Sequence, residues 1–351
     1  VSELELIARR DAALGRLTLN RPEALGALTL GMCEAMIAAL QDWRADPAVA
    51  AVLIDHAGPR GFCAGGDIRM LAESGARDGV AARAFFAAEY RLDALIGAYP
   101  KPIVAVMDGV VMGGGVGISL PAPYRIATER TRFAMPETGI GLFPDVGAGW
   151  HLPRLPGRTG LWIVLTGARL GAADCLHLGL ATHVVESARI EALKAALAAA
   201  PGEIERVLAE FRFDPGHPPI AYQEADIDRL FAGDTLEAVF EALAYDDSEW
   251  AKAQLAAMTA KSPLSAKVAF RQMAGGLAPK SLADDLAVEY RLASRIVMRA
   301  DFHEGVRAVL VDKDNAPLWS PASPAEVSEA MVDEMFAALP PDQEWTPPPE
   351  A

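Results

Sequence analysis

The chain has 351 residues and a formal net charge of −15, with 52% hydrophobic and 23% charged residues, a balance that fits a packed protein and excludes a disordered one. The negative surplus repels phosphate backbones and so disfavours general nucleic-acid binding, while no apolar run reaches the roughly 18 residues of a membrane-spanning helix. Cys33, Cys63 and Cys175 are odd in number and form no CxxC pair, which argues against disulfides and structural zinc and, with no leader pattern at Ser2-Glu3-Leu4-Glu5, leads us to expect a cytoplasmic protein.

The first half alternates short β-branched runs with helical patterns. Residues 14–20 read as a strand, 29–43 as a helix, 51–55 as a strand, 80–98 as a long helix and 103–107 as a buried strand. Residues 113–120, after a glycine cluster, read as a helix start. Strand–helix alternation of this kind predicts an α/β domain. From about residue 188 onward the signals are helical, with apolar spacing over 234–244, 262–273, 281–298 and 301–311. Ser187, Asp234, Ser262, Ser281 and Asp301 stand at candidate N-caps. The expected division is a core over 1–200, a helical region over 201–340 and a frayed, Pro-rich tail over 341–351.

Two glycine-rich segments follow strands: Gly61-Phe62-Cys63-Ala64-Gly65-Gly66-Asp67-Ile68, and Met107-Asp108-Gly109-Val110-Val111-Met112-Gly113-Gly114-Gly115-Val116-Gly117. Neither completes a dinucleotide or nucleoside-triphosphate motif. Each alone reads as a tight turn. Together they can offer one N–H apiece to a single oxygen, which is the design of an oxyanion hole. A third segment, residues 133–147, carries Glu137 and Asp145 in apolar, Gly/Pro-rich surroundings. Each acid alone fits a helix start. Apolar surroundings also raise carboxyl pKa values toward neutrality, which suits acid/base work. His151 and His303 stand alone, without metal-ligand or triad spacing, and read as structural. Cys63 reads as a small buried hydrophobe.

These segments, in this order and spacing, resemble the crotonase (enoyl-CoA hydratase/isomerase) superfamily over residues 14–319. The resemblance implies a spiral of ββα repeats with a C-terminal α-helical region. It also implies that the backbone N–H groups of Gly66 and Gly114 receive a thioester oxygen, with Gly65 and Asp67 of the same loop beside the substrate. Enoyl-CoA hydratases carry a glutamate where this chain has Gly117, so the usual two-glutamate hydration should fail here. Asp145 stands where hydratases usually have glycine. Residues 112–119, 136–149 and 301–310, with the added helical stretch before Lys261-Ser262-Pro263, resemble the 3-hydroxyisobutyryl-CoA hydrolase family within that superfamily.

That closer resemblance implies thioester hydrolysis of a small 3-hydroxyacyl-CoA, as in valine breakdown, with Glu137 and Asp145 catalytic and Glu89 contacting substrate. No metal or cofactor is implied, since CoA arrives with the substrate, and relatives assemble as homo-oligomers. Arg21-Pro22-Glu23-Ala24-Leu25-Gly26 departs from the family pattern by Glu23 for a lysine and Gly26 for an asparagine, which leaves Lys101 and Lys313 as candidates to meet CoA phosphates. The alternatives are a hydratase or isomerase of the same fold, which Gly117 opposes, and a catalytically silent binding protein, which the retention of Glu137 with Asp145 opposes.

Overall fold

A computed structural model describes residues 4–347. In chain order the strands are β1 Leu6–Asp11, β2 Leu14–Leu19, β3 Ala51–His56, β4 Gly61–Cys63, β5 Ile103–Met107, β6 Val110–Met112, β7 Tyr124–Ala127, β8 Arg132–Ala134 and β9 His183–Val184. The α-helices are α1 Leu30–Ala45, α2 Ile68–Gly75, α3 Val80–Gly97, α4 Gly114–Gly117, α5 Ala148–His151, α6 Thr159–Thr166, α7 Ala172–His177, α8 Ile190–Ala199, α9 Ile204–Phe211, α10 Glu224–Leu230, α11 Leu236–Tyr245, α12 Glu249–Thr259, α13 Pro263–Gly275, α14 Leu282–Ile296, α15 Ala300–Val306 and α16 Glu329–Phe336. None of them is long and apolar enough to cross a membrane.

The chain divides into two compact units. One comprises residues up to Gly66, Ala88–Phe133 and Arg169–Ala221, and the other Asp67–Ala87, Ala134–Ala168 and Tyr222 onward. The first holds a six-stranded sheet in the order β1-β2-β3-β5-β7-β9, parallel from β2 to β9 with β1 antiparallel at its edge. A three-stranded sheet, β4-β6-β8, runs beside it in sequence. Each of the pairs β3/β4, β5/β6 and β7/β8 gives one strand to each sheet, which is the ββ part of the expected spiral.

Strand alternation sends Leu14, Ala51, Leu53, Val104, Val106 and Ile126 to one face, where Leu193 and Leu197 of α8 and Val207, Leu208 and Phe211 of α9 bury against them. At β2, α1 presses so close that a Cβ on Gly15 would stand 2.5 Å from the Trp43 ring. Thr29 caps α1, accepting from Met32 N at 3.2 Å, and Asp46-Pro47 ends it. A charged cluster is sealed inside this unit. Asp55, fully buried on β3, accepts from Arg16 at 2.6 Å and Thr18 Oγ1 at 2.6 Å, and pairs with Lys194 at 2.8 Å. Three partners on one carboxylate keep the burial of its charge tolerable.

The second unit is helical. All eight residues of α6 are buried, and it packs against α10, α12 and α13. Helix α14 packs against α5 and α16, and α15 against α2.

The two compact units do not follow the expected division at 200/201. Helix α9 completes the core of the sheet unit, while residues 134–168 belong with the C-terminal helices because α6 is apolar and covered on every side. Part of the expected tail is packed. Glu344 pairs with Arg291 at 3.0 Å, and the Trp345 indole N–H, on a residue 5% exposed, donates to Ala87 O at 3.1 Å. Residues 348–351 of that tail, and 1–3 of the N-terminal segment, lie outside the described residues.

Candidate active site

In the first unit the structure brings Gly65, Gly66, Glu89 and Gly114 together. Leu28 N donates to Gly65 O at 2.8 Å. A peptide is planar and trans, so the N–H of Gly66 points the opposite way from that carbonyl. Gly113 O accepts from Val116 N at 2.7 Å and Gly117 N at 3.3 Å, which aims it into α4. The Gly114 N–H, on the other side of the same peptide, therefore points out of the helix start, where it has no partner inside the helix.

Gly65 has φ 118°, and the direction a Cβ would take from it reaches within 3.9 Å of Gly114 N. That φ, more than the space, calls for a residue without a side chain here. The loops also pack back to back: a Cβ on Gly115 would stand 2.4 Å from Cys63 O.

Glu89 is 2% exposed on α3 and points at Gly114, since a Cβ there would lie 2.3 Å from Glu89 Oε1. One turn on, Asp93 is fully buried. Burial pushes the Cys63 thiol up to about 12, with the charges of Glu89 and Asp93 adding to it, so Cys63 stays a thiol and packs as the small hydrophobe expected. Cys33, Cys63 and Cys175 are all free and buried. The notable absence is at Gly117, buried in α4, where no proton-transferring side chain exists.

In the second unit Glu137 is the first residue of a 3₁₀ turn over Glu137–Ile140 and is 4% exposed. Its neighbours are fixed from three sides. Ser262 N donates to Thr138 O at 3.0 Å, Thr138 Oγ1 donates to Val164 O at 3.2 Å, and Gly305 of α15 lies against Ile140, 2.4 Å from its carbonyl carbon if a Cβ were added. The Lys261 ammonium lies beside this turn, 3.4 Å from where a Cβ on Gly139 would stand.

Asp145, 4% exposed, precedes Val146 at φ 57° and Gly147 at φ 83°, two successive left-handed residues that turn the chain into α5. Left-handed backbone disfavours a β-branched valine, so packing and hydrogen bonds must hold it. Those bonds come from Glu289 on α14. Its Oε2 accepts from Gly147 N at 2.8 Å, and its Oε1 accepts from Gly149 N at 3.1 Å and from Gln272 Nε2 at 2.9 Å. Burial, then the nearby charges of Asp285 and Asp145, raise the Glu289 carboxyl well above its usual range. Asp285, one turn earlier, is pushed up to about 6 by burial.

Asp67, expected beside substrate, lies in the second unit as the N-cap of α2, its carboxylate accepting from Met70 N at 3.3 Å. Lys101, a candidate for the CoA phosphates, donates its ammonium to Trp43 O and, at 2.7 Å, to Asp46 O at the end of α1. Lys313 sits at φ 58° in the exposed segment after α15. His303, half-buried between Phe302 and Gly75, has its ring pKa lowered by burial, in keeping with a structural role. Sequence reasoning missed Asp93, Lys261 and Glu289. Glu289 carries a readable signal: with Leu286, Tyr290 and Ala293 it occupies the buried stripe of α14, where an acid is out of place. Among the described residues, no group of three His, Cys, Asp or Glu side chains is placed to hold a metal ion.

The enoyl-CoA hydratase/isomerase family model matches residues 14–336. A mitochondrial 3-hydroxyisobutyryl-CoA hydrolase of Danio rerio is 43% identical over 344 residues, covering 95% of this chain and 90% of that protein. The Homo sapiens protein of the same name is 41% identical over 95% of this chain and 89% of its own length. A solved carnitinyl-CoA dehydratase from Mycobacterium thermoresistibile superposes with a TM-score of 0.93 at 40% identity, covering 97% of this chain and 98% of that one. With a family model spanning residues 14–336 and relatives above 40% identity over 95% of the chain, this chain belongs to the enoyl-CoA hydratase/isomerase, or crotonase, family.

Proposed function

We propose that this chain hydrolyses the thioester of 3-hydroxyisobutyryl-CoA, giving the free hydroxy acid and CoA. The observation that carries the reading is Gly117: the position that in hydratases bears a second glutamate is a glycine buried in α4, while Glu137 and Asp145 are both kept and buried. The hydrolase names of the relatives support the same reaction.

In this reading the thioester oxygen accepts from Gly66 N–H and Gly114 N–H, whose outward direction follows from the carbonyls on the same peptides. Charge grows on that oxygen as the carbonyl is attacked, and losing one such donor typically costs about 3 kcal/mol of transition-state stabilisation. Glu137 follows one of two routes. It takes a proton from water, whose oxygen forms the new C–O bond, or its own oxygen forms that bond and water opens the resulting anhydride. In both the C–S bond breaks and CoA leaves as a thiolate that takes up a proton. Turnover in ¹⁸O water labels the Glu137 carboxylate by the anhydride route alone.

Asp145 binds the 3-hydroxyl or assists the proton transfer, and Glu89, against Gly114, helps to position the acyl group. A site built for a hydroxyl rejects acyl groups lacking it, because its own polar groups are left unpaired. 3-Hydroxypropionyl-CoA lacks only a methyl, worth about 1–3 kcal/mol in an apolar pocket, and belongs to the same substrate class. A place in valine catabolism, a homo-oligomeric assembly and action without a bound cofactor are parts of this reading that the family supports. The three free thiols support a reducing compartment such as the cytoplasm. The relatives are named mitochondrial, so cell fractionation is the measurement for location.

The dehydratase name of the superposed structure favours a second reading, water addition or removal at a double bond. One assay separates the two. Free-thiol release is followed from 3-hydroxyisobutyryl-CoA and butyryl-CoA, with Glu137→Gln and crotonyl-CoA hydration alongside. Fast release that needs the 3-hydroxyl and Glu137, without hydration, upholds the hydrolase. Hydration without thiol release replaces it.

A further inference from the structure

We infer that Glu289 on α14 is a positioning residue that holds the Asp145 turn in shape, and this rests on the role proposed for Asp145. The turn after Asp145 passes through two left-handed residues, Val146 and Gly147, and then starts a helix of only four residues, α5. A β-branched residue does not keep such a conformation unaided, and a one-turn helix supplies little internal restraint. Glu289 supplies it from outside. Its two oxygens bridge Gly147 N–H and Gly149 N–H, a contact that spans 142 residues of sequence.

The carboxyl group is itself fixed, since Gln272 donates to Oε1 and the residue has no exposed surface. Asp285 extends the same arrangement by accepting from the backbone of Trp150. Gly149 must be a glycine for this, because a Cβ there would stand 2.4 Å from Asp285 Oδ1 and 2.9 Å from Gln272 Nε2. The acid sits close enough to Asp145 for that side chain's charge to be felt on it. An apolar side chain would fill the same space in a helix stripe at less desolvation cost, so a glutamate here points to a demand for two acceptors.

Glu289→Gln tests this in the full chain. The amide is nearly isosteric, but its NH₂ replaces one acceptor and faces an N–H instead of receiving it. The variant is assayed by thiol release from 3-hydroxyisobutyryl-CoA, alone and combined with Asp145→Asn, with unfolding midpoints measured for each. The expected result is a 10- to 100-fold fall in kcat in the wild-type background and less than a twofold further fall beside Asp145→Asn. Equal falls in both backgrounds, or no fall in either, overturn the inference. Glu289→Asp, too short to bridge both N–H groups, is read by the same cycle if the glutamine variant does not fold. Asp145→Asn at the wild-type rate would overturn the proposed role of Asp145 itself, a pattern distinct from the failure of the positioning role.

Discussion

The Glu89 carboxylate and the backbone of Gly114 meet so closely that a Cβ on the glycine would stand 2.3 Å from Glu89 Oε1 and 2.9 Å from Leu28 Cδ1. Both neighbours are buried, so neither yields without moving the loop that aims the Gly114 N–H. Gly114→Ala is therefore expected to lower kcat/KM by at least about 100-fold, the usual effect of losing an oxyanion donor. Overpacking should cost about 1–3 kcal/mol of stability. Adding Glu89→Ala should recover stability but not turnover. A single variant within threefold of wild-type kcat/KM would overturn the oxyanion role of this amide.

Lys101 gives the opposite kind of expectation. Its ammonium is spent on the last carbonyls of α1, so Lys101→Met should leave KM for an acyl-CoA within twofold of wild type. Loss of the cap should cost about 1 kcal/mol in chemical unfolding. A tenfold rise in KM at unchanged stability would return the residue to the CoA phosphates.

What was legible in the sequence was what is local. Ser262 and Ser281 announce the starts of α13 and α14 because a cap is decided within three residues, and both accept the expected backbone N–H. The β-branched runs of β3 and β5 were equally plain. Ser187, Asp234 and Asp301 were misread by a residue or two: the caps fall at Glu186, Thr235 and Arg299. Strands β4, β6 and β8 were not foreseen at all. Each has three residues in a glycine-rich or turn-like stretch, and pairing such as Gly61 with Val110 comes from a partner far along the chain. The candidate site divides the same way. Glu137, Asp145 and the two glycine loops announce themselves by motif, whereas the Glu289 contacts that shape the Asp145 turn exist only once α14 is folded.

The C-terminal segment, expected to fray, is anchored by Trp345. Its ring is 5% exposed and its N–H is bonded to Ala87 O. Trp345→Ala should cost about 3 kcal/mol in urea unfolding, the low end for removing a buried tryptophan. The slope of the transition should not change. A variant within about 0.5 kcal/mol of wild type, the usual range for surface changes, would show that the segment adds nothing to stability.

Asp285 sets a pH dependence whose sign can be worked out. Burial raises its carboxyl from 3.8 to about 6 in the folded chain. Between those values the folded state binds the proton that the unfolded state has released. Its contribution is thus fully present below about pH 4 and is lost as the pH rises through about 6. Asparagine keeps an oxygen acceptor for the Trp150 N–H but does not ionise. Asp285→Asn should therefore gain on wild type as pH increases, the difference in unfolding free energy between pH 4 and pH 8 shifting by up to about 3 kcal/mol in favour of the variant. Glu289 feels the Asp285 charge and does not cancel, so the difference reports the pair, while titrating groups remote from it are common to both proteins and cancel to first order. Chemical unfolding of the two proteins at pH 4, 6 and 8 measures it. A difference that is flat with pH would mean that Asp285 titrates alike in both states, and one that moves the other way would mean that its carboxylate is stabilised inside the fold, placing a cation nearer to it than the burial of α14 provides.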